Sequence, residues 1–193
     1  MLIPEIGPGR SAGLALRDDI ATEIRRVGFS CTGCGRCCRP DQKEPHIVLV
    51  SPAEVREICA GTGQEWHDLA EPYPEWIASS GGGRFTLAWC MKNQEGRCCF
   101  LSGRRCRIYS CRPWICRTYP FMLDEAGLFI SPCPGIGAPV SWEDAYTLAS
   151  TIMDRYAAEC GEEERVKEQV AGIHIPPGVT AVIDGDGMTI LHG

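Results

Sequence analysis

Cys31-Thr32-Gly33-Cys34-Gly35-Arg36-Cys37-Cys38 is the stretch on which the reading of this chain turns. Written C-x-x-C-x-x-C-C, it offers three thiols at two-residue intervals and a fourth directly after them. The small residues between them let backbone wrap closely around a bulky object, so a loop is expected. Three thiolates so spaced can each reach one iron of a four-iron cubane, and a distant cysteine then completes the set. Structural zinc more often takes two C-x-x-C pairs from separate knuckles, although a single loop also suits it. The spacing leaves both metals open and favours iron–sulfur. In extended backbone adjacent side chains point to opposite sides, so Cys37 and Cys38 are expected to serve different sites.

The rest of the composition agrees with a metal protein. Thirteen cysteines among 193 residues, 44% of them apolar, are more than a chain of this size needs as staples, because it can bury a real core. The odd number also argues against a disulfide framework. The net charge is −6, which does not suit a protein that coats nucleic acid. No run approaches the roughly 18 consecutive apolar residues of a membrane span. Met1 to Arg10 lacks the charged-then-apolar order of a signal sequence, so a cytoplasmic protein without membrane contact is expected.

Outward from the cysteine loop, Leu14 to Val27 carries Leu16, Ile20, Ile24 and Val27 at helical spacing. His46 to Val50 reads as a strand. Ser51, Pro52 and Glu54 form a helix start, so Pro52 to Ala60 should be helical and Gly61 should end it. Gln64 to Ile77 reads as a second short helix broken by Pro72 and Pro74, followed by a strand at Arg84 to Trp89. From Cys90 to Pro134 cysteines crowd with little periodicity, apart from a strand at Gly127 to Ser131. Ser141 with Asp144 starts a helix over Trp142 to Glu159, with a charged segment from Glu162 to Gly172 beyond it. Val179 to Ile183 and Met188 to His192 flank Asp184-Gly185-Asp186-Gly187, which is hairpin chemistry; the further acidic ligands of a calcium loop are missing.

The later cysteines lie in Cys99-Phe-Leu, Cys106-Arg-Ile-Tyr109, Arg112-Pro-Trp-Ile-Cys116-Arg-Thr-Tyr-Pro120 and Cys133-Pro-Gly135. With these motifs in order from Phe29 to Ile136, the chain resembles the YkgJ-like cysteine-cluster family of zinc- or iron-chelating proteins. The resemblance implies eight ligands: Cys31, Cys34, Cys37, Cys38, Cys99, Cys106, Cys116 and Cys133. It also implies that Arg112 and Arg117 orient the structure around Cys116. Cys59, Cys90, Cys98, Cys111 and Cys160 fall outside the family pattern. Cys59 and Cys160 read as small apolar residues. Cys90, Cys98 and Cys111 lie inside the metal region, where a ligand or a redox thiol is open for each.

Six arginines and no acidic residue lie between Arg97 and Arg117. Guanidinium groups beside thiolates would offset the charge of a ligated centre and favour its reduced form. Tyr109, Trp114 and Tyr119 could add a nucleic-acid surface, but aromatic residues among prolines are more simply local packing, so nucleic acid is not expected. His46, His67, His174 and His192 have no ligand spacing.

The expectation is therefore a small α+β chain forming one domain over residues 1–193. Its loop-rich, cysteine-liganded metal region spans 29–136, with flanking helices, and a helix and hairpin over 141–193 close it. The expected function is binding of one or two 4Fe-4S clusters for electron transfer, or as an accessory redox protein to a partner enzyme. No catalytic residue is assigned, and oxidoreductase and carrier stay open. The alternative is a zinc-stabilised module, not an enzyme, that docks a partner or delivers metal.

Overall fold

The computed structural model describes residues 17–39, 47–94 and 96–192, and the fold is α+β. The first helix, α1 (Arg17–Val27), has Asp18 and Asp19 in its first turn and Arg25 and Arg26 in its last, the polarity that complements a helix dipole. The expected start at Leu14 lies outside the described residues. Ile20, Ala21 and Ile24 are buried against Ala145, Ala149 and Ile152 of the long helix described below, and alanine on both sides allows close approach.

The chain re-enters at β1 (Leu49–Val50) and turns directly into α2 (Pro52–Thr62). His46, the expected start of that strand, lies outside the described residues. Ser51 and Glu54 form the capping box read from the sequence. The helix ends one turn-fragment later than expected, because Gly63 rather than Gly61 takes the left-handed conformation, with φ 70°. Gly61 has another use: a Cβ there would meet the Cys111 Sγ at 3.0 Å. The expected helix over Gln64 to Ile77 shrinks to α3 (Trp66–Leu69), since the chain then extends into β2 (Ala70–Pro72) and β3 (Ile77–Ala78). The expected strand at Arg84 to Trp89 is divided into β4 (Arg84–Thr86) and β5 (Trp89–Met91), which join different sheets.

Four short strands follow as two tight hairpins, β6 (Asn93–Gln94) with β7 (Arg97–Cys98) and β8 (Leu101–Ser102) with β9 (Arg105–Cys106). Beyond them come α4 (Trp114–Thr118), then β10 (Phe121–Asp124) paired with β11 (Gly127–Ile130). The long helix is α5 (Trp142–Val170), capped by Ser141. It runs well past Glu159 because the charged segment continues it: Arg155 pairs with Glu159 at 2.7 Å, Arg165 with Glu162 at 2.8 Å and Lys167 with Glu163 at 2.8 Å. No helix among the described residues is long and apolar enough to cross a membrane.

The terminal hairpin, β12 (Thr180–Asp184) and β13 (Gly187–His192), is closed by the Asp184 Oδ1, which accepts from the Asp186 N–H at 2.9 Å. It does not stand alone. β12 lies parallel to β4, giving a sheet of order β13-β12-β4-β3, while a second sheet has order β1-β5-β2. Three apolar clusters result among the described residues. One holds Val50, Val55, Ile58, Leu69 and Trp89; one lies between α1, β10 and α5; one holds Phe85, Ile175, Ala181 and Ile183. The first carries the cysteines: Cys98, Cys99, Cys106, Cys111 and Cys116 pack against its surface.

Candidate metal centre

The cysteine loop is entered through a short antiparallel contact. The Ser30 N–H donates to the Gly135 carbonyl at 3.0 Å, the Gly137 N–H donates to the Gly28 carbonyl at 3.0 Å, and Phe29 bridges Ile136. A Cβ on Gly135 would lie 2.2 Å from the Ser30 carbonyl oxygen, so the Cys133-Pro-Gly sequence needs its glycine for this approach. Cys31 and Cys133 are thereby held at the same end of the contact. Cys133 Sγ accepts from the Gly135 N–H at 3.4 Å. The Tyr119 hydroxyl donates to the Pro132 carbonyl at 2.7 Å, and its ring lies within electrostatic reach of Cys133, Cys37 and Cys34.

The loop then packs on the second hairpin. A Cβ at Gly35 would meet the Arg104 carbonyl oxygen at 3.2 Å and Leu101 Cδ1 at 3.3 Å, and the Arg39 guanidinium donates to the Gly103 carbonyl. The hairpin registers set Cys98 opposite Asn93 and Cys106 opposite Leu101. Arg107 reaches back to the Cys99 carbonyl at 2.8 Å. Cys116 comes from α4, whose first N–H, on Trp114, donates to Glu54 Oε1 at 2.7 Å, while Arg117 pairs with Glu57 at 2.5 Å. Arg117 thus fastens the helix bearing Cys116 to α2. Arg112 lies over the Tyr109 ring, 3.6 Å from its centre, and its charge acts on Cys37, Cys106 and Cys116.

Cys37 and Cys38 stand in one 3-10 turn, Arg36–Cys38, with their sulfurs 3.9 Å apart. The expectation that the neighbours face opposite ways assumed extended backbone, and this turn brings them together instead. Cys38 donates to the Cys37 thiolate and holds the Cys37 pKa down to about 6, while Cys38 itself is pushed up. A second doublet repeats the arrangement. Cys99 donates to Cys98, whose pKa falls to about 7, and Cys99 moves up. Burial pushes Cys116 up to about 12, reinforced by the charges of Cys98, Cys37 and Cys106. Cys34 is lowered by the Arg36 N–H and the Thr32 hydroxyl.

Six thiols therefore share one electrostatic neighbourhood: Cys37, Cys38, Cys98, Cys99, Cys106 and Cys116. Among the described residues, the charges of Arg107 and Arg112 also act on members of this group. Cys34, on which the charge of Cys37 also acts, lies with Cys133 towards Tyr119, and Cys31 is exposed at the end of the Phe29 contact. Among the described residues, no three His, Cys, Asp or Glu side chains are already closed around one ion position. Soft sulfur donors beside guanidinium groups nonetheless fit zinc or an iron–sulfur group in chemistry.

Cys98 was not among the eight expected ligands, yet it sits in this group. The signal for it is the doublet Cys98-Cys99, which repeats Cys37-Cys38. Cys90 does not join: it is buried between β5 and β2, its Sγ donates to the Glu71 carbonyl at 3.5 Å, and burial raises its pKa to about 11. Cys111 packs on Gly61, Cys59 on the first apolar cluster, and Cys160 bonds with Tyr156 along α5. His67 faces Asp68 at 3.6 Å, and His174 lies against Gly81.

The family model described as CxxCxxCC, putative zinc- or iron-chelating domain, matches residues 30–135, more than half of the chain, and the chain belongs to that family. The family to which this α+β chain belongs makes it a metal-binding protein. No solved structure matches it.

Proposed function

We propose that this protein binds one or two 4Fe-4S clusters and passes single electrons, as a carrier or as an accessory to a partner redox enzyme in the cytoplasm. The observation that carries this reading is the six-thiol neighbourhood beside Arg107 and Arg112. A four-iron cluster takes four cysteine thiolates, as a structural zinc ion does, so the six thiols can complete either; the C-x-x-C-x-x-C spacing of the cysteine loop is what favours iron–sulfur. Cys37, Cys98, Cys106 and Cys116 come from separate elements and would hold one cluster, with Cys38 and Cys99 beside them. Cys31, Cys34 and Cys133 would contribute to a second. When bound, such a group supplies one-electron chemistry. The chain's own contribution is to bring the thiols together from a 3-10 turn, two short hairpins and α4, to set Arg107 and Arg112 against their negative charge, and to seat them on the apolar cluster beneath. On this reading the chain acts as one domain.

One distance favours a second reading. A zinc–sulfur bond of about 2.3 Å puts two sulfurs of a tetrahedral site about 3.8 Å apart. The Cys37–Cys38 separation of 3.9 Å matches that edge, which suits a zinc-stabilised docking or metal-delivery module. Iron, zinc and acid-labile sulfide analysis of protein purified without oxygen, with a visible spectrum, separates the two. Near-equal iron and sulfide in coloured protein is expected. Colourless protein with stoichiometric zinc would overturn the redox reading.

A further inference from the structure

A cavity of about 820 Å³ lies between the second half of α5 and the surface formed by β1, α2, β5 and the start of α4. It is within the size range of small-molecule sites, roughly 300–1,000 Å³. Leu49, Val50, Leu87 and Val166 make much of its wall, together with the two indoles of Trp89 and Trp114. The thiol centre does not use it, but α4 joins the two, because Trp114 lines the cavity and Cys116 is one turn-fragment further along the same helix.

The charge on the wall is one-sided. Its two cations are already engaged: Arg155 with Glu159 at 2.7 Å and Lys167 with Glu163 at 2.8 Å. Glu162 is held by Arg165 at 2.8 Å. Two carboxylates remain that, among the described residues, accept only from neutral donors. Asp184 is 5% exposed; its oxygens take the Trp89 indole N–H at 2.8 Å and the Asp186 N–H at 2.9 Å. Glu54 takes the Ser51 N–H and hydroxyl, each at 2.9 Å, and the Trp114 N–H at 2.7 Å. The guanidinium on the far side of Asp184, Arg56, is bound to Asp186 at 2.6 Å. A carboxylate offers about four acceptor positions, so each of the two retains capacity for a further donor. A buried carboxylate without a cationic partner is costly, and a ligand cation would offset that cost.

We propose that this cavity binds a small organic amine, a protonated ammonium group on an aliphatic or arylalkyl body. The ammonium sits between Asp184 and Glu54, and the body lies along Leu49, Val166 and the two indoles. Neutral and anionic ligands of the same size leave both carboxylates uncompensated and are rejected. The inference goes beyond electron transfer and does not depend on which metal the thiols hold.

The test is calorimetric titration of the full chain, metal-loaded as purified, with 2-phenylethylammonium and with its neutral counterpart 2-phenylethanol. The ammonium is expected to saturate one site per chain, and the alcohol to bind at least about tenfold more weakly, the scale of one charge-assisted contact. Asp184→Asn should weaken the ammonium by roughly tenfold or more. Ala158→Trp fills the cavity from an exposed position on α5, so it should abolish binding while leaving helical circular dichroism and metal content unchanged. The proposal is overturned by equal affinity for amine and alcohol, by undiminished binding to the well-folded Ala158→Trp variant, or by no ammonium binding to the unmodified chain at millimolar concentration.

Discussion

Two neighbouring thiols in one 3-10 turn cannot both ionise easily, and Cys37 and Cys38 resolve this by sharing a hydrogen bond. The consequence is a thiolate at Cys37 under conditions where an ordinary cysteine is still a thiol. Its pKa is lowered to about 6, so in reduced, metal-free protein its nucleophilicity persists at neutral pH and is lost only as the pH falls through 6. Iodoacetamide labelling followed by peptide mass mapping between pH 5 and 9 should show Cys37 reacting at pH 7 ahead of Cys90 and Cys116, whose thiols are pushed up to about 11 and about 12. Below pH 6 its rate should fall tenfold per unit. Cys38→Ala removes the donor and should move the midpoint upward, towards the ordinary thiol value near 8.5. A midpoint already near 8.5 in the unmodified chain would refute the shared bond. The doublet at Cys37 was plain in the sequence, but its geometry was not, because the 3-10 turn depends on the left-handed Gly35, at φ 70°, seated on the second hairpin. Cys98 was legible only as a repeat of that doublet; its place among the thiols comes from pairings between strands of two residues, too short to leave a periodic trace.

Glu54 couples two helices that the sequence reads separately. It is the third helical residue of a capping box with Ser51, and that half was legible from residue types alone. The other half, acceptance of the Trp114 N–H at the start of α4, spans sixty positions and leaves no local signal. Glu54→Ala should therefore cost about 1–2 kcal/mol, the sum of a weakened cap and an unmet N–H, read as a lower urea midpoint. Glu54→Gln keeps an acceptor oxygen and should lose less. A cost under about 0.5 kcal/mol, the scale of an ordinary surface change, would mean that the two helices are held together by other contacts. Elsewhere the helix starts at Ser51 and Ser141 were readable, as was the terminal hairpin, because caps and turns depend on nearby residues. Helix ends were less so. Gly61 looked like a terminator but is a contact for Cys111, and the charged stretch after Glu159 looked like a tail but pairs with itself as helix.

At the scale of the molecule the three apolar clusters stand in different relation to the thiols. The α1–α5 cluster and the one around Phe85 and Ile183 draw no cysteine into their packing, whereas the first cluster is covered on one side by Cys98, Cys99, Cys106, Cys111 and Cys116. Metal bound by thiolates in small domains contributes on the order of 10 kcal/mol to folding, comparable to the whole stability of an ordinary domain. Removing it under reducing conditions leaves that side of the first cluster held by two-residue strands and separates thiols that repel once ionised. Trp66 and Trp89 meet edge to face there, 5.3 Å apart, and should lose their ordered environment. The helical signal at 222 nm should largely remain, because α1 and α5 bury their shared face without metal. Chelation followed by near-ultraviolet and far-ultraviolet circular dichroism reads both changes in one sample. If the two signals collapse together at the same chelator concentration, the clusters form one cooperative unit and α5 depends on the metal centre through Arg155, whose guanidinium donates to Thr118 of α4 at 2.9 Å and so ties the long helix to the element that carries Cys116.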